Sequence, residues 1–203
     1  MPSMDEPMRV AALILAAGES TRFGSQKQRA RIGDRTMLEG VIGVAAQAGL
    51  SPILVVVPPQ LPVPPQVVPV VNTRPSEGIS RSLRLGIGAL PADINGAVIL
   101  LGDQPTLAPG SIRALLDAGT QRPVVAARAG GVVAPPVLIR REAFGLVDEA
   151  SGDIGLAPII EANPELVTIV EIGEHAPDVD TPENLEAVAE TRIAHMFDSG
   201  TDR

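Results

Sequence analysis

Two uninterrupted apolar runs constrain the fold of this chain more than any other feature. Residues 10–16 read Val-Ala-Ala-Leu-Ile-Leu-Ala and lead through Ala17 to Gly18. Residues 97–101 read Ala-Val-Ile-Leu-Leu and end at Gly102-Asp103. A strand with one wet face alternates apolar and polar residues, whereas a strand covered on both faces does not. Both runs are far too short to span a membrane. They predict central strands of a mostly parallel sheet, with helices packed on either side.

The rest of the chain supplies those helices and further strands. Residues 53–57, 66–71, 124–127 and 166–172 are rich in β-branched residues and predict strands. Residues 137–139 can pair back across a turn at Gly130-Gly131. Apolar residues at helical spacing predict helices over 37–48, stopped by Gly49, and over 79–90. Pro109 opens another, over 111–118, and shorter helices are expected over 141–149 and 154–161. Thr181 and Pro182 are a good cap and first position for a last helix running to about residue 196. The proline-rich stretch 58–65 can be neither helix nor central strand, and reads as a stiff loop. Strand and helix alternate almost throughout. The expected fold is therefore α/β, a single-domain three-layer α/β/α sandwich around a Rossmann-like, mostly parallel sheet. Its 203 residues suit one domain, with residues 1–8 and 198–203 as disordered tails.

Composition narrows the function. A net charge of −8 and the absence of Tyr and Trp speak against a nucleic-acid partner, which would need a basic face or stacking platforms. The chain has no cysteine, so disulfides, thiolate metal sites and cysteine nucleophiles are excluded. Neither a signal-peptide pattern nor a membrane-length apolar run is present, and the expectation is a cytoplasmic protein without a membrane partner. His175 and His195 have no metal-ligand spacing and read as surface residues.

In open parallel sheets, ligands bind outside the carboxyl ends of the strands. Four motifs follow strands in this way. The first is Leu15-Ala16-Ala17-Gly18-Glu19-Ser20-Thr21-Arg22-Phe23-Gly24-Ser25-Gln26-Lys27. Small residues let backbone N–H groups approach a triphosphate, and Arg22 and Lys27 can hold its charge. The glycine spacing is neither that of the P-loop nor that of the dinucleotide fingerprint. The second is Asn72 followed by Glu77-Gly78-Ile79-Ser80-Arg81-Ser82, where a helix start offers donors to a ligand edge; alone it is equally an ordinary capped helix. The third, Gly102-Asp103-Gln104-Pro105, delivers one carboxylate at the end of a buried strand, which suffices for a Mg²⁺ that takes its remaining ligands from phosphates and water. The fourth, Asp178-Val179-Asp180-Thr181-Pro182-Glu183, puts two carboxylates on one side of an extended segment before a helix.

Together and in this order, the motifs resemble those of the MobA-like NTP transferases, the nucleotidyltransferases related to molybdenum cofactor guanylyl- and cytidylyltransferases. Sugar-1-phosphate and methylerythritol-phosphate nucleotidyltransferases are more distant relatives. The resemblance implies transfer of a nucleoside monophosphate from an NTP to a phosphorylated small molecule, with release of pyrophosphate. It implies that Leu15, Ala16, Ala17, Gly18, Glu19, Ser20, Asn72, Gly78, Ser82 and Gly102 bind the nucleotide. Arg22, Lys27 and Asp103 would be the catalytic groups, with Asp103 and Asp180 holding Mg²⁺. Gln104, Pro136 and Asp153 would lie on the acceptor side.

Ala17 stands where the guanylyltransferase branch usually has Gly, so the chain is more similar to the cytidylyltransferase branch, and CTP is favoured over GTP as donor. The acceptor implied is the molybdopterin cofactor, with a molybdoenzyme or its chaperone as a further partner. Several positions depart from the family pattern. Pro135 replaces a His, Leu156-Ala157-Pro158 lacks an Arg, and Lys27 is followed by Gln28-Arg29-Ala30-Arg31 rather than an apolar run. Other acceptors therefore stay open, such as a sugar phosphate or phospholactate, as does a non-catalytic nucleotide- or cofactor-binding protein. Retention of Arg22, Lys27, Asp103 and Asp180 together argues against the last.

Overall fold

The computed structural model describes residues 8–18, 30–104, 107–118 and 121–173. Strand β1 (Val10–Leu15) is followed by a short antiparallel hairpin, β2 (Arg31–Ile32) and β3 (Arg35–Thr36), and then by helix α1 (Met37–Gln47). Next come β4 (Ile53–Val57), β5 (Val68–Val71), α2 (Ile79–Gly88), β6 (Gly96–Leu101) and α3 (Pro109–Asp117). The described part ends with β7 (Val124–Ala129), β8 (Val132–Arg140), α4 (Ala157–Ala162) and β9 (Val167–Glu171). Seven of the strands form one sheet in the order β5-β4-β1-β6-β8-β7-β9. Only β8 runs against its neighbours, β6 and β7; the other pairings are parallel.

The two apolar runs are the central strands β1 and β6, paired with each other from Val10–Gly96 to Leu15–Leu101. Every residue of β1 is buried. Its alternating side chains serve two cores. Val10, Ala12 and Ile14 pack with Leu38, Val41 and Ile42 of α1 and Ile112 and Leu115 of α3. Leu13 and Leu15 face the other way, toward Leu83 of α2, Ala143, Val147, and Ile159 and Ile160 of α4. This is the three-layer sandwich that uninterrupted apolar strands require.

Helix α1 is bounded by its own sequence. Thr36 accepts from the amide of Glu39 (3.2 Å), while the Glu39 carboxylate accepts from the amide of Thr36 (2.7 Å) and its hydroxyl (3.0 Å). This is a complete capping box. At the other end Gly49 has a φ of 84°, and the amides of Gly49 and Leu50 donate to Ala46 and Ala45. Those bonds satisfy carbonyls that the last turn would leave open.

Three expectations need correction in detail. The segment read as a helix over 141–149 is a 3-10 helix, Arg141–Glu149. The strand expected over 137–139 is the nine-residue β8, which carries Pro135 and Pro136 within it. Prolines cannot donate to a ladder. They are tolerated because the register skips at this point: Ala126 pairs with Val137 and Ala127 with Ala134, leaving the prolines in a bulge. Met8, expected in a tail, packs against the core and accepts a contact from Arg140 Nη1 at 2.8 Å.

Candidate active site

The carboxyl ends of β1, β4, β5 and β6 lie side by side, tied by backbone hydrogen bonds that run past the strands themselves. The amide of Ala16 donates to Val56 (2.8 Å), that of Asn72 to Val57 (2.8 Å) and that of Gly102 to Leu15 (2.9 Å). Because β8 is antiparallel, its amino end, with Pro135 and Pro136, comes to the same edge. Pro136 is buried just before Val137, which pairs with Ile99 of β6. Four of the predicted clusters thus converge on one edge of the sheet: residues 15–18, Asn72, residues 102–104 and Pro136.

Gly102 is where the first and third motifs touch. A Cβ there would come within 2.8 Å of the Ala16 Cβ and 3.3 Å of the Leu15 carbonyl oxygen. No side chain fits without moving backbone, so the glycine lets the end of β6 close against the end of β1. Asp103 follows, half-buried, while Gln104 is buried and Gly18 exposed. The edge therefore presents the exposed backbone of Gly18 and, at the end of a buried strand, a carboxylate.

Asn72 has a different part from the one its motif suggests. It is wholly buried. Its Oδ1 accepts from the amide of Arg74 (3.0 Å) and from Arg81 Nε (3.0 Å), and its Nδ2 donates to Ser82 Oγ (3.1 Å). The amide thus sews the end of β5 to the first turns of α2. Glu77 reinforces the join, bridging Arg74 Nη1 (2.7 Å) and Arg81 Nη1 (2.9 Å). Asn72 and Ser82 act on this edge by positioning α2.

The start of α2 brings the donor and acceptor candidates together. Gly78 caps the helix with a φ of 89°, a conformation L side chains rarely adopt. A Cβ on it would lie 2.2 Å from the Gly152 carbonyl carbon and 2.7 Å from the Asp153 amide nitrogen. The amide of Ser80, expected to be on offer to a ligand, instead donates to the Gly152 carbonyl at 3.1 Å. Asp153 itself is exposed. Gly152, Arg81 and Glu77 were not among the predicted site residues. The Glu77–Arg81 spacing of four is a legible signal for a helical ion pair, but nothing local marks Gly152.

Glu19, Ser20, Arg22, Lys27, Asp180, the last helix and both histidines lie outside the described residues. Among the described residues, no three His, Asp or Glu side chains gather as a metal cluster. Asp103 offers a hard carboxylate oxygen where protein ligands are few. That suits a cation which keeps waters and takes substrate phosphates as ligands. Among the described residues no helix is long and apolar enough to cross a membrane.

Residues 12–167 match the family model of the MobA-like NTP transferase domain. The chain belongs to that family. It is a nucleotidyltransferase, and a non-catalytic role is set aside on that ground. A probable molybdenum cofactor guanylyltransferase of Mycolicibacterium paratuberculosis is 28% identical over 200 residues, 93% of this chain and 100% of that protein. The bifunctional protein GlmU of Corynebacterium aurimucosum is 35% identical over 136 residues, 58% of this chain; the match spans only 27% of that protein's length. Among solved structures, Rv0371c from Mycobacterium tuberculosis H37Rv superposes with a TM-score of 0.79 at 26% identity, covering 91% of this chain and 100% of that one. Its complex with manganese gives 0.75 at 25%, covering 90% and 98%. The matched domain contains Asn72, Gly78, Asp103, Pro136 and Asp153, and ends before Asp180.

Proposed function

We propose that this MobA-like NTP transferase transfers CMP from CTP to the terminal phosphate of the molybdopterin cofactor. The observation that carries the reading is the closure of Gly102-Asp103 against Leu15-Ala16: it sets the Asp103 carboxylate beside the place where the segment that resembles an NTP-binding loop begins. An acceptor phosphate oxygen attacks the α-phosphorus of the NTP. The new bond is a P–O–P anhydride, the bond from the α-phosphorus to the bridging oxygen breaks, and pyrophosphate leaves with that oxygen. Phosphate oxygens are already nucleophilic, so the protein's part is positioning and charge neutralisation.

Residues 15–20 hold the triphosphate, and Arg22 and Lys27 neutralise the departing pyrophosphate. Asp103, with Asp180, would hold Mg²⁺, which supplies positive charge beside the reacting phosphates. The complex of Rv0371c with manganese supports a divalent ion. Asp153, Gln104 and Pro136 border the acceptor. The reading of CTP rests on Ala17, which is buried just beyond β1 and stands where the guanylyltransferase branch usually has Gly. GTP is the second reading, favoured by the guanylyltransferase similar over 93% of the chain.

Pyrophosphate release decides among these. The purified protein is assayed with each of the four NTPs, with Mg²⁺, with and without molybdopterin. The expected result is release with CTP only when the acceptor is present, lowered roughly a hundredfold or more in Asp103→Asn. Release with GTP alone would move the donor to the second reading. No release with any NTP, or full activity in Asp103→Asn, would overturn the mechanism.

A further inference from the structure

The first turn of α2 has no cap of its own, because Gly78 carries no side chain to accept from its amides. A distant turn does this work. The Gly152 carbonyl accepts from Ser80 N, and the Gly152 backbone fills the space a Cβ on Gly78 would need. One turn along the helix, Arg84 reaches over the same junction. Its Nη1 donates to the Ala150 carbonyl at 2.7 Å, and its Nη2 donates to Ser80 Oγ at 3.3 Å. Ser80 is completely buried. The guanidinium therefore closes a bracket, with one arm on the turn that begins at Ala150 and the other on the buried serine that itself binds Gly152.

We propose that Arg84 is a positioning residue for the acceptor. It holds the 150–153 turn, which carries Asp153, against the first turn of α2. The proposal rests on the reading of Asp153 as an acceptor-side residue. Arg suits the task because its planar fork donates in two directions at once, which a lysine ammonium on a flexible stem does less well. Arg81, its neighbour, is already committed to Asn72 and Glu77. The two arginines divide the work: Arg81 secures α2 to β5, and Arg84 secures the 150–153 turn to α2. Loosening the second join should disturb acceptor binding while leaving the nucleotide's own contacts in place.

The test uses the full chain with two substitutions and two readouts. Arg84→Met keeps the length of the stem and removes both hydrogen bonds; Arg84→Lys can restore the bond to Ala150. Amide hydrogen exchange without any substrate follows Ser80, Ala150 and Ile154, whose amides are bonded at this junction. Initial rates of pyrophosphate release follow the KM for acceptor and for NTP separately. In Arg84→Met, exchange at those three amides should rise at least fivefold while β1 and β6 keep their protection. The acceptor KM should rise about tenfold, the effect of losing a charged hydrogen bond, with the NTP KM within about twofold. Arg84→Lys should recover most of the acceptor KM. Unchanged exchange in the turn, or acceptor and NTP KM rising together, would overturn the proposal. If Arg84→Met does not fold, Ser80→Ala removes one arm of the bracket and must shift exchange and acceptor KM in the same sense. A wild-type enzyme that uses no acceptor counts against the proposed function; exchange at Ser80, Ala150 and Ile154 then decides whether Arg84 holds the turn.

Discussion

Asn72 shows how much one buried amide can organise. Its oxygen takes two donors and its nitrogen serves the Ser82 hydroxyl, with the Asn72 side chain itself wholly buried. Removing it strands partners rather than merely deleting bonds, and a buried group left unsatisfied costs about 1–3 kcal/mol. Asn72→Ala should accordingly lower stability by about 2–3 kcal/mol, measured as a shift of the urea midpoint with the slope unchanged. A loss below about 0.5 kcal/mol, the range of ordinary surface substitutions, would mean that water replaces the amide and that the join between β5 and α2 is looser than its hydrogen bonds indicate. The residue was legible in the sequence as part of a motif, but its role was not. Facing a ligand and sewing two elements together call for the same amide, and only burial separates them.

Among the elements, α1 is the most self-contained. The capping box holds the Glu39 carboxyl below the usual carboxylate range: its largest cause is the bond from the Thr36 amide, then that from the Thr36 hydroxyl, with Arg31 and Arg35 adding to it. The folded-state value therefore lies below that of the unfolded chain. The stabilisation is complete above the ordinary value of 4.5 and is lost as pH falls through the lowered one. Melting temperatures of the wild type and Glu39→Gln, compared between neutral pH and pH 3, should differ most at neutrality and converge in acid. A gap that widens in acid would contradict the capping box. Helix α2 contrasts with α1 at every point. Its cap is the Gly152 carbonyl, its close approach to β1 is set by Gly86, where a Cβ would lie 2.3 Å from Leu13 Cδ1, and its arginines reach other elements. The hairpin of β2 and β3 falls outside the expected elements because its strands are two residues each, too short to show an alternating pattern. The two turn residues, Gly33-Asp34, with a φ of 65° at Gly33, were its readable signal.

For the molecule as a whole, the proposed site joins parts of the chain held together by the sheet, so ligand binding should stabilise the entire fold. At an NTP concentration a hundred times Kd, mass action adds about 2.7 kcal/mol. For a chain of this size that is an upward shift of roughly 5–10 °C in Tm. With CTP and Mg²⁺ the shift should appear in a thermal scan, shrink without the metal, and vanish in Asp103→Asn. An equal shift in that variant would place the metal's main ligands elsewhere.

The layers, the central strands and the glycine stop of α1 could be read from local spacing, because burial on both faces, helical periodicity and turn chemistry all act within a few residues. The apolar runs at 10–16 and 97–101 became β1 and β6 to within a residue at each end. Local spacing could not reach the reversal of β8, the bulge that houses Pro135 and Pro136, or the meeting of Gly78 with Gly152. Each of those joins segments far apart in sequence, and a carbonyl such as that of Gly152 carries no mark of which amide it will accept from. The residue types needed for nucleotidyl transfer were therefore visible along the chain. Among the described residues, which stand at the sheet edge and which hold others there is a matter of packing.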